Sequence, residues 1–429
     1  MVNKIVKNAS WIIACKVAET LFMLAVTIFQ ARIFGPTNFG LITYAQSIVT
    51  VVVPIMQLGL NSILIKELVN NKNNEGSIMG TSLMMAMIAA PIAILFVLIF
   101  TSIVNAGSSE TIIVCVLYSS LLLFQVFELL QYWFLAHYMS KYTAITFFVA
   151  YVIASIYRLA ILFINKSIYL FALSQTLYYL IIAISLLYFY KKQGGQKFEF
   201  NKDIAKTLFN RSKYFLVSSL AVTFYTQIDR ILLKNMCGDE VNGYYVAAIT
   251  IVNMATFIFI AIIDSTQPDL IEKNNQNNEL FEKGMTRLYS VVIYLALLMC
   301  IFLDIFAPII IKIMYGLDYL PSINLLRIVT WYGLFSFIGI ARSVYIVAKE
   351  QQKYIWIISI LGALFSLMCN YILIKLFGAS GAAVGAILVQ IFVNVILGFI
   401  IKPIRRNNVL MFKALNPMVI KEMLSEFFH

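Results

Sequence analysis

Residues 78–103 read IMGTSLMMAMIAAPIAILFVLIFTSI, a run of 26 residues without a charged side chain. A helix needs about 20 mostly apolar residues to cross the hydrocarbon core of a bilayer. The run is too long and too evenly apolar for a strand of a membrane barrel, which alternates over about 10 residues. It therefore predicts a membrane-spanning α-helix.

Eleven further runs of this kind occur along the chain. The predicted spans, numbered 1 to 12, are residues 11–34, 40–62, 78–103, 111–136, 143–165, 167–190, 213–236, 243–264, 287–313, 324–348, 354–376 and 379–401. Of the 429 residues, 61% are apolar and 12% are charged, whereas soluble domains have about 45–50% and about 25%. The sequence therefore predicts an all-α polytopic membrane protein with about twelve transmembrane helices.

Lys and Arg residues are distributed unevenly between the loops on the two sides of the membrane. The two termini and the loops after even-numbered spans hold 22 of the 32, the opposite loops hold five, and five lie within spans. Lys and Arg are enriched in the cytoplasmic loops of membrane proteins. The pattern predicts that both termini are cytoplasmic. It also explains the net charge of +12 without nucleic acid as a partner.

The longest loop between predicted spans is basic, contains glycine and lies at the centre of the chain. We interpret it as a linker between two lobes of six helices each. The predicted divisions are an N-terminal lobe (residues 1–190), the linker (191–212), a C-terminal lobe (213–402) and a cytoplasmic tail (403–429).

The two predicted lobes resemble repeats of one unit. Gly35, Gly40 and Ala45 recur as Gly238, Gly243 and Ala248 at an offset of 203, and Lys141-Tyr142 recurs as Lys353-Tyr354 at an offset of 212. Parallel repeats with a substrate site between them are a feature of transporters. The sequence therefore favours a transporter.

Four stretches, in a fixed order along nearly the whole chain, resemble a known family of membrane proteins. They are Arg32, Gly35, Pro36, Phe39 and Gly40; Gln227, Ile228, Asp229 and Arg230 with Gly238, Gly243, Tyr244 and Tyr245; Tyr315, Gly316, Tyr319, Pro321, Ser322, Leu325, Leu326 and Arg327; and Gly378, Gly381, Ala382 and Ala383. The family is the Wzx-type O-antigen and capsule repeat-unit flippases, within the multidrug/oligosaccharidyl-lipid/polysaccharide exporter superfamily. Taken alone, the glycines and Pro36 are turn residues between helices.

The resemblance implies two lobes that enclose a central V-shaped cavity and work by alternating access. It implies that the substrate is an oligosaccharide repeat unit on undecaprenyl diphosphate, moved from the inner to the outer leaflet of the bacterial cytoplasmic (inner) membrane. The role would be biosynthesis of O-antigen, and thus lipopolysaccharide, or of another surface polysaccharide. A polysaccharide polymerase and a chain-length regulator would be partners, no cofactor is expected, and the chain would not be an enzyme.

Basic residues inside the predicted spans are candidates for substrate binding, because a charge at mid-bilayer costs about 2.5–3.5 kcal/mol on insertion. The candidates are Lys16, Arg158, Arg230 and Arg342. Arginine presents forked donors that match phosphate oxygens, and it keeps its charge. We expect these four residues to line the cavity and neutralise the diphosphate or acidic sugars.

Three acidic residues inside the spans, Glu19, Glu128 and Asp229, are candidates for proton or sodium coupling. A carboxylate away from water can exchange a proton near neutral pH. Structural roles are the alternative. Lys16 and Glu19, three residues apart, could pair on one helix face. Arg342 could extend to the inner interface, and Asp229 could pair with a basic neighbour.

Two other classes of membrane protein remain open. A multidrug exporter of the same superfamily would have the same spans, although its cavity would favour acidic and aromatic residues for cationic drugs. A polysaccharide polymerase typically carries a large outer loop, and a glycosyltransferase needs an acidic or glycine-rich motif; the sequence has neither. Two histidines and five dispersed cysteines predict no metal site.

Overall fold

The protein is represented by a computed structural model that describes residues 2–421, and the side chains of residues 22–421. Within residues 2–421 the chain is almost entirely helical and contains no strand. The chain divides into two compact units, unit 1 (Met1–Gln227) and unit 2 (Ile228–His429). The prediction of an all-α fold is confirmed.

Unit 1 contains eight helices and most of a ninth. They are α1 (Val2–Gln57), α2 (Leu64–Asn70), α3 (Glu75–Val104), α4 (Ser109–Ser119), α5 (Leu122–Gln125), α6 (Leu130–Ala136), α7 (Ser140–Ile164), α8 (Ile168–Lys192) and α9 (Lys202–Cys237). A 3₁₀ turn, Val126–Leu129, separates α5 from α6. The boundary between the two units falls within α9.

Unit 2 contains seven further helices. They are α10 (Asp239–Met254), α11 (Thr256–Gln276), α12 (Asn278–Met314), α13 (Ser322–Ala348), α14 (Ile355–Ile391), α15 (Leu397–Ile400) and α16 (Arg405–Lys413). A π-helix, Phe392–Ile396, joins α14 to α15. Such wide turns are rare and often occur at functional sites.

Nine segments of the described chain are long and apolar enough to cross a membrane. Two of them, Phe22–Gln57 and Gln352–Ile400, contain helix breaks at Gly35 and Gly378, so each covers residues of two predicted spans. The helix α9 covers predicted span 7 but is not among the nine segments, because it carries more polar residues. These elements account for the twelve predicted spans, and the protein is a multi-pass membrane protein.

The helix α3 shows how these spans divide between lipid and protein. Its exposed side carries Ile88, Ile92, Leu95 and Ile99, and its buried side carries Ala86, Ala90, Ala93 and Val97. Both sets recur every three or four residues, which is the spacing of one helix face. Small residues let neighbouring helices approach closely, whereas large apolar side chains suit lipid.

The turns of the two units share backbone geometry at the offsets found in the sequence. Gly35 (φ 71°) and Gly238 (φ 95°), 203 residues apart, both adopt the left-handed conformation that glycine accepts without strain. Tyr138 (φ 58°) and Glu350 (φ 53°) are 212 residues apart. After them, Met139 N donates to Phe134 O at 2.8 Å and Gln351 N to Ile346 O at 2.9 Å. The matching turns support an internal repeat.

Residues 193–201, within the predicted linker, lie along the first turns of α3. The side chain of Gln196 accepts from Gly76 N at 2.9 Å and donates to Lys72 O at 3.0 Å. The hydroxyl of Tyr190 donates to Gln196 O at 2.8 Å. Backbone atoms of Lys197 and Glu199 approach Gly76 and Gly80 so closely that a Cβ at either glycine would clash. The division into lobes, linker and tail stays a prediction.

Candidate functional site

Unit 1 contains a cavity of about 510 Å³. Its walls are residues 46–61 of α1 and the turn that follows it, residues 118–125 of α4 and α5, residues 175 and 179 of α8, and residues 218–223 of α9. We call it the unit 1 cavity. Pockets that hold a small ligand have volumes of about 300–1,000 Å³, so this one is large enough for a small polar ligand.

The lining of the unit 1 cavity is polar but uncharged. Of its sixteen lining residues, eleven carry an amide or a hydroxyl group, and among the described residues none is Lys, Arg, Asp or Glu. The amides are Gln46, Gln57, Asn61, Gln125 and Gln175. Such groups donate and accept hydrogen bonds without attracting either sign of charge. The cavity is therefore suited to a neutral ligand with many hydroxyl or amide groups.

Gln125 is the most constrained of these amides. It ends α5 directly before the 3₁₀ turn, and its side chain is only 7% exposed. Its Nε2 donates to Glu128 Oε2 at 3.2 Å and to the Tyr179 hydroxyl at 3.2 Å. Its Oε1 is buried and has no hydrogen-bond partner among the described residues. The cavity wall thus contains an acceptor that nothing in this part of the chain satisfies.

Glu128, an expected coupling residue, lies behind Gln125 on the 3₁₀ turn and is partly buried. It accepts the Gln125 bond and interacts electrostatically with Tyr132 and Tyr179. It does not itself line the cavity. Glu128 therefore contacts the wall of the cavity through Gln125.

Arg158 lies on α7 and is 6% exposed. Its Nε donates to Ser174 Oγ at 2.9 Å, and its guanidinium lies 5.8 Å from the centre of the Tyr151 ring. Its Nη2 is buried and has no hydrogen-bond partner among the described residues. It interacts electrostatically with Tyr118 and Tyr179, which line the unit 1 cavity. A buried cation with an unused donor thus lies close behind the cavity wall.

In unit 2, Asp229 is 5% exposed. One carboxylate oxygen accepts from the backbone N–H of Arg230 at 2.9 Å, and the other accepts from the Tyr245 hydroxyl at 2.5 Å. The two tyrosines Tyr245 and Tyr332 interact electrostatically with both Asp229 and Arg230. The Arg230 side chain is partly buried. Asp229 is thus a buried carboxylate with both oxygens hydrogen-bonded.

Arg342, on α13, is 7% exposed, so its guanidinium lies inside the protein rather than at an exposed surface. Its Nη1 donates to the backbone carbonyl of Val393 at 2.7 Å, and Val393 belongs to the π-helix. Next to it, Asn394 donates to Gln390 Oε1 at 2.7 Å and to Phe335 O at 2.9 Å. Polar side chains thus tie the π-helix to α13 and to the end of α14.

The structure groups the candidate residues into two sets. In unit 1, Glu128 and Arg158 both interact electrostatically with Tyr179. In unit 2, Asp229 and Arg230 are neighbours and both interact electrostatically with Tyr332. Arg342 interacts with Tyr289 and the π-helix instead. Lys16 and Glu19 lie outside the residues whose side chains are described. The roles of all seven stay predictions.

Sequence reasoning missed the uncharged cavity lining. The charged residues within the spans point to other positions, because a charge is the rarest and costliest side chain in a membrane. Gln46, Gln125 and Gln175 also stand inside predicted spans, and the polar residues Ser218, Ser219 and Thr223 stand on α9. Amides within apolar runs, and the lower hydropathy of span 7, were the signals that could have found this site.

Comparisons with known proteins give a family and a fold. The model of a family described as polysaccharide biosynthesis protein matches residues 5–272. No protein of curated function matches this chain at significant sequence similarity.

Among solved structures, the lipid II flippase MurJ in an inward closed conformation has a TM-score of 0.72 and 14% identity, covering 96% of this chain and 92% of its own. An inward-facing multidrug resistance MATE family transporter of the MOP superfamily has a TM-score of 0.68 and 15% identity, covering 93% and 96%. A MOP superfamily transporter from Pyrococcus furiosus has a TM-score of 0.62 and 14% identity, covering 94% and 95%.

At these identities, the structures establish the fold alone. That fold occurs here in membrane transporters, and it agrees with the prediction of a transporter rather than an enzyme. It also agrees with the flippase resemblance carried by the four sequence stretches. Since the family model matches more than half of the residues, the chain belongs to the polysaccharide biosynthesis protein family.

Proposed function

We propose that this protein moves an oligosaccharide linked to undecaprenyl diphosphate from the inner to the outer leaflet of the bacterial cytoplasmic membrane, by alternating access. Three findings support the proposal: membership of the polysaccharide biosynthesis family, a transporter fold, and an uncharged polar cavity with a buried arginine behind it. Both termini would face the cytoplasm, in line with the bias of Lys and Arg residues.

The observation that carries the proposal is Arg158. Its guanidinium is buried on a membrane helix, and its Nη2 has no hydrogen-bond partner among the described residues. A cation in such a place costs free energy, so a charged residue buried inside a membrane helix is a candidate for a functional role. A diphosphate supplies oxygens that match the forked donors of arginine. Lys16, Arg230 and Arg342 would contribute further positive charge along the path of the diphosphate.

Coupling to an ion gradient would use the buried carboxylates. Asp229 is the strongest candidate, since both of its oxygens accept hydrogen bonds in a buried site. Release or binding of a proton or a sodium ion there would change the bond to Tyr245. Glu128 and Glu19 are the other candidates, and Glu128 would transmit its charge state to the unit 1 cavity through Gln125.

The product would be a lipid-linked repeat unit on the outer leaflet, ready for polymerisation. The protein would therefore act before a polysaccharide polymerase and a chain-length regulator, in the biosynthesis of O-antigen or another surface polysaccharide. These assignments rest on the sequence resemblance and the family.

Deletion of the protein in its source bacterium tests the proposal, with analysis of the surface glycan and of the undecaprenyl-linked pool. We expect polymerised glycan to be lost and complete repeat units to accumulate on the lipid at the inner leaflet. Complete but unpolymerised units at the outer leaflet would contradict the proposal and indicate a polymerase. Unchanged glycan with new sensitivity to cationic drugs would indicate a multidrug exporter.

A further inference from the structure

The orientation of the Gln125 side chain is fixed by its neighbours. A carboxylate can only accept hydrogen bonds, so Glu128 requires the amide nitrogen of Gln125, not the oxygen, to face it at 3.2 Å. The same nitrogen donates to the Tyr179 hydroxyl at 3.2 Å. Oε1 of Gln125 must then point away from Glu128, and it is buried without a partner among the described residues.

Tyr179 completes a pair of complementary groups on the cavity wall. Its hydroxyl oxygen accepts from Gln125, which leaves its own hydrogen free to donate. Gln125 and Tyr179 both line the unit 1 cavity. The wall thus offers one acceptor and one donor side by side. Neighbouring hydroxyl groups of a sugar ring, or a hydroxyl beside an acetamido group, present the matching donor and acceptor.

The charge of the wall selects among sugars. A carboxylate of an acidic sugar needs a cation or several donors when it leaves water, and the described lining contains no cation. Arg158 lies outside the described lining, so the guanidinium that the proposed function assigns to the diphosphate is not part of the wall that would contact the sugar.

We propose that the unit 1 cavity binds neutral sugars, with the Gln125 carbonyl accepting a hydrogen bond from a sugar hydroxyl or acetamido N–H and the Tyr179 hydroxyl donating one. This inference rests on the proposed transport function and specifies the glycan that the protein carries: its residues in this cavity are uncharged. An unsatisfied buried acceptor costs free energy that a bound sugar recovers.

Saturation-transfer difference NMR tests the inference on the full-length protein in lipid nanodiscs. The probes are N-acetyllactosamine, a neutral disaccharide, and digalacturonic acid, an acidic one. We expect saturation transfer to the neutral probe and binding of the acidic probe that is weaker by about tenfold or more. The Gln125→Leu variant should bind the neutral probe about five- to tenfold more weakly, which is the effect of losing one hydrogen bond to a buried group.

Two further variants separate this role from a general effect on folding. Gln131→Leu changes the same residue type in the neighbouring helix α6, outside the cavity lining, and should bind the neutral probe like the wild type. Glu128→Gln removes the group that orients Gln125 and should also weaken binding. Equal binding of both probes, equal behaviour of Gln125→Leu and Gln131→Leu, or no transfer to the neutral probe would each overturn the inference.

Transport by the wild type, measured separately in proteoliposomes with decaprenyl diphosphate linked to the neutral disaccharide, distinguishes the two proposals. Movement of this lipid together with an absence of sugar binding by NMR would overturn the inference and leave the proposed function standing. Sugar binding without movement of the lipid would overturn the proposed function and leave the neutral-sugar site standing.

Discussion

The two units share matching turns but differ at their candidate sites. In unit 1, Gln125 Oε1 and Arg158 Nη2, at or behind the cavity wall, have no hydrogen-bond partner among the described residues. Unit 2 also holds buried acceptors without such a partner, as at Asn370 Oδ1, but both oxygens of its candidate carboxylate, Asp229, accept hydrogen bonds, from Arg230 N and from the Tyr245 hydroxyl. Unused capacity favours ligand binding, whereas bonded charges favour structure or switching. A repeated backbone can therefore carry unlike polar sites.

Removing Arg158, whose Nη2 has no hydrogen-bond partner among the described residues, should have the largest effect. We expect Arg158→Ala to lower export of the lipid-linked glycan by about 100-fold, the effect of losing roughly 3 kcal/mol of charge-assisted binding. Arg158→Lys should recover only part of the export, since lysine lacks the forked donors with which arginine binds two phosphate oxygens. The measurement is surface glycan in a deletion strain expressing each variant at equal membrane levels.

The matched control for that variant is Arg327→Ala, which removes an arginine at an exposed position of α13. It should export normally. Full export by Arg158→Ala would refute a ligand-binding role for the arginine and would remove the main difference between the two units.

The internally bonded carboxylate of unit 2 should affect coupling more than binding. We expect Asp229→Asn to lower gradient-driven transport by about tenfold, within the usual range of coupling free energies, while binding of the lipid-linked disaccharide stays unchanged. Transport by proteoliposomes with and without a proton or sodium gradient gives the first quantity, and equilibrium binding gives the second.

An exposed pair of the same type serves as the control. Tyr244 donates to Glu240 at 2.5 Å, and Glu240 is exposed. The Glu240→Gln variant should respond to the gradient like the wild type. If Asp229→Asn also keeps the normal gradient response, Asp229 has a structural role only.

Stability measurements sharpen the contrast between the two buried arginines. Arg342→Leu removes a charged bond to the Val393 carbonyl and should destabilise the protein by about 2 kcal/mol. Arg158→Leu removes a bond to the Ser174 hydroxyl, but that hydroxyl can turn to a backbone carbonyl of its own helix, so we expect a change within about 1 kcal/mol of zero. Thermal unfolding in nanodiscs measures both. If Arg158→Leu lost more stability than Arg342→Leu, Arg158 would be the structural arginine and Arg342 the candidate for ligand binding.

The smallest effect concerns the shared turns. Tyr138 is 90% exposed and, like Glu350, adopts a left-handed conformation that costs non-glycine residues about 1–2 kcal/mol. Glycine relieves this strain, but it also makes the unfolded chain more flexible, which costs about 0.5–1 kcal/mol of stability. The net effect should be a slight stabilisation of about 0.5 kcal/mol for each of Tyr138→Gly and Glu350→Gly. Changes of opposite sign in the two variants, by thermal unfolding, would contradict the equivalence of the turns.

Much of the fold follows from the sequence, because helix length and apolar composition are local properties. Residues 78–103 predict a span that the structure shows within α3, and Gly35 and Gly378 mark helix breaks. The contacts of the predicted tail depend on distant partners: Tyr289 donates to Asn407 at 2.7 Å across 118 residues. No local pattern predicts that contact.

The candidate site was less predictable for the same reason. The sequence places Arg158 in a span, but its contact with Ser174 requires the pairing of α7 with α8. The bond between Asp229 and Tyr245 joins two separate helices. The orientation of Gln125, which leaves its Oε1 without a partner among the described residues, depends on a 3₁₀ turn and on a tyrosine 54 residues away. Sequence identifies which residues are costly in a membrane, whereas their partners come from the tertiary structure.

The most direct test of transport uses purified protein in proteoliposomes that contain decaprenyl diphosphate linked to a fluorescent neutral disaccharide on one leaflet only. Accessibility of the sugar to an enzyme added outside reports its transfer between leaflets. We expect the wild type to move the lipid and Arg158→Ala to leave it on its original leaflet, as in protein-free vesicles. Retention of the lipid by the wild type, with uptake of a cationic drug instead, would contradict the account.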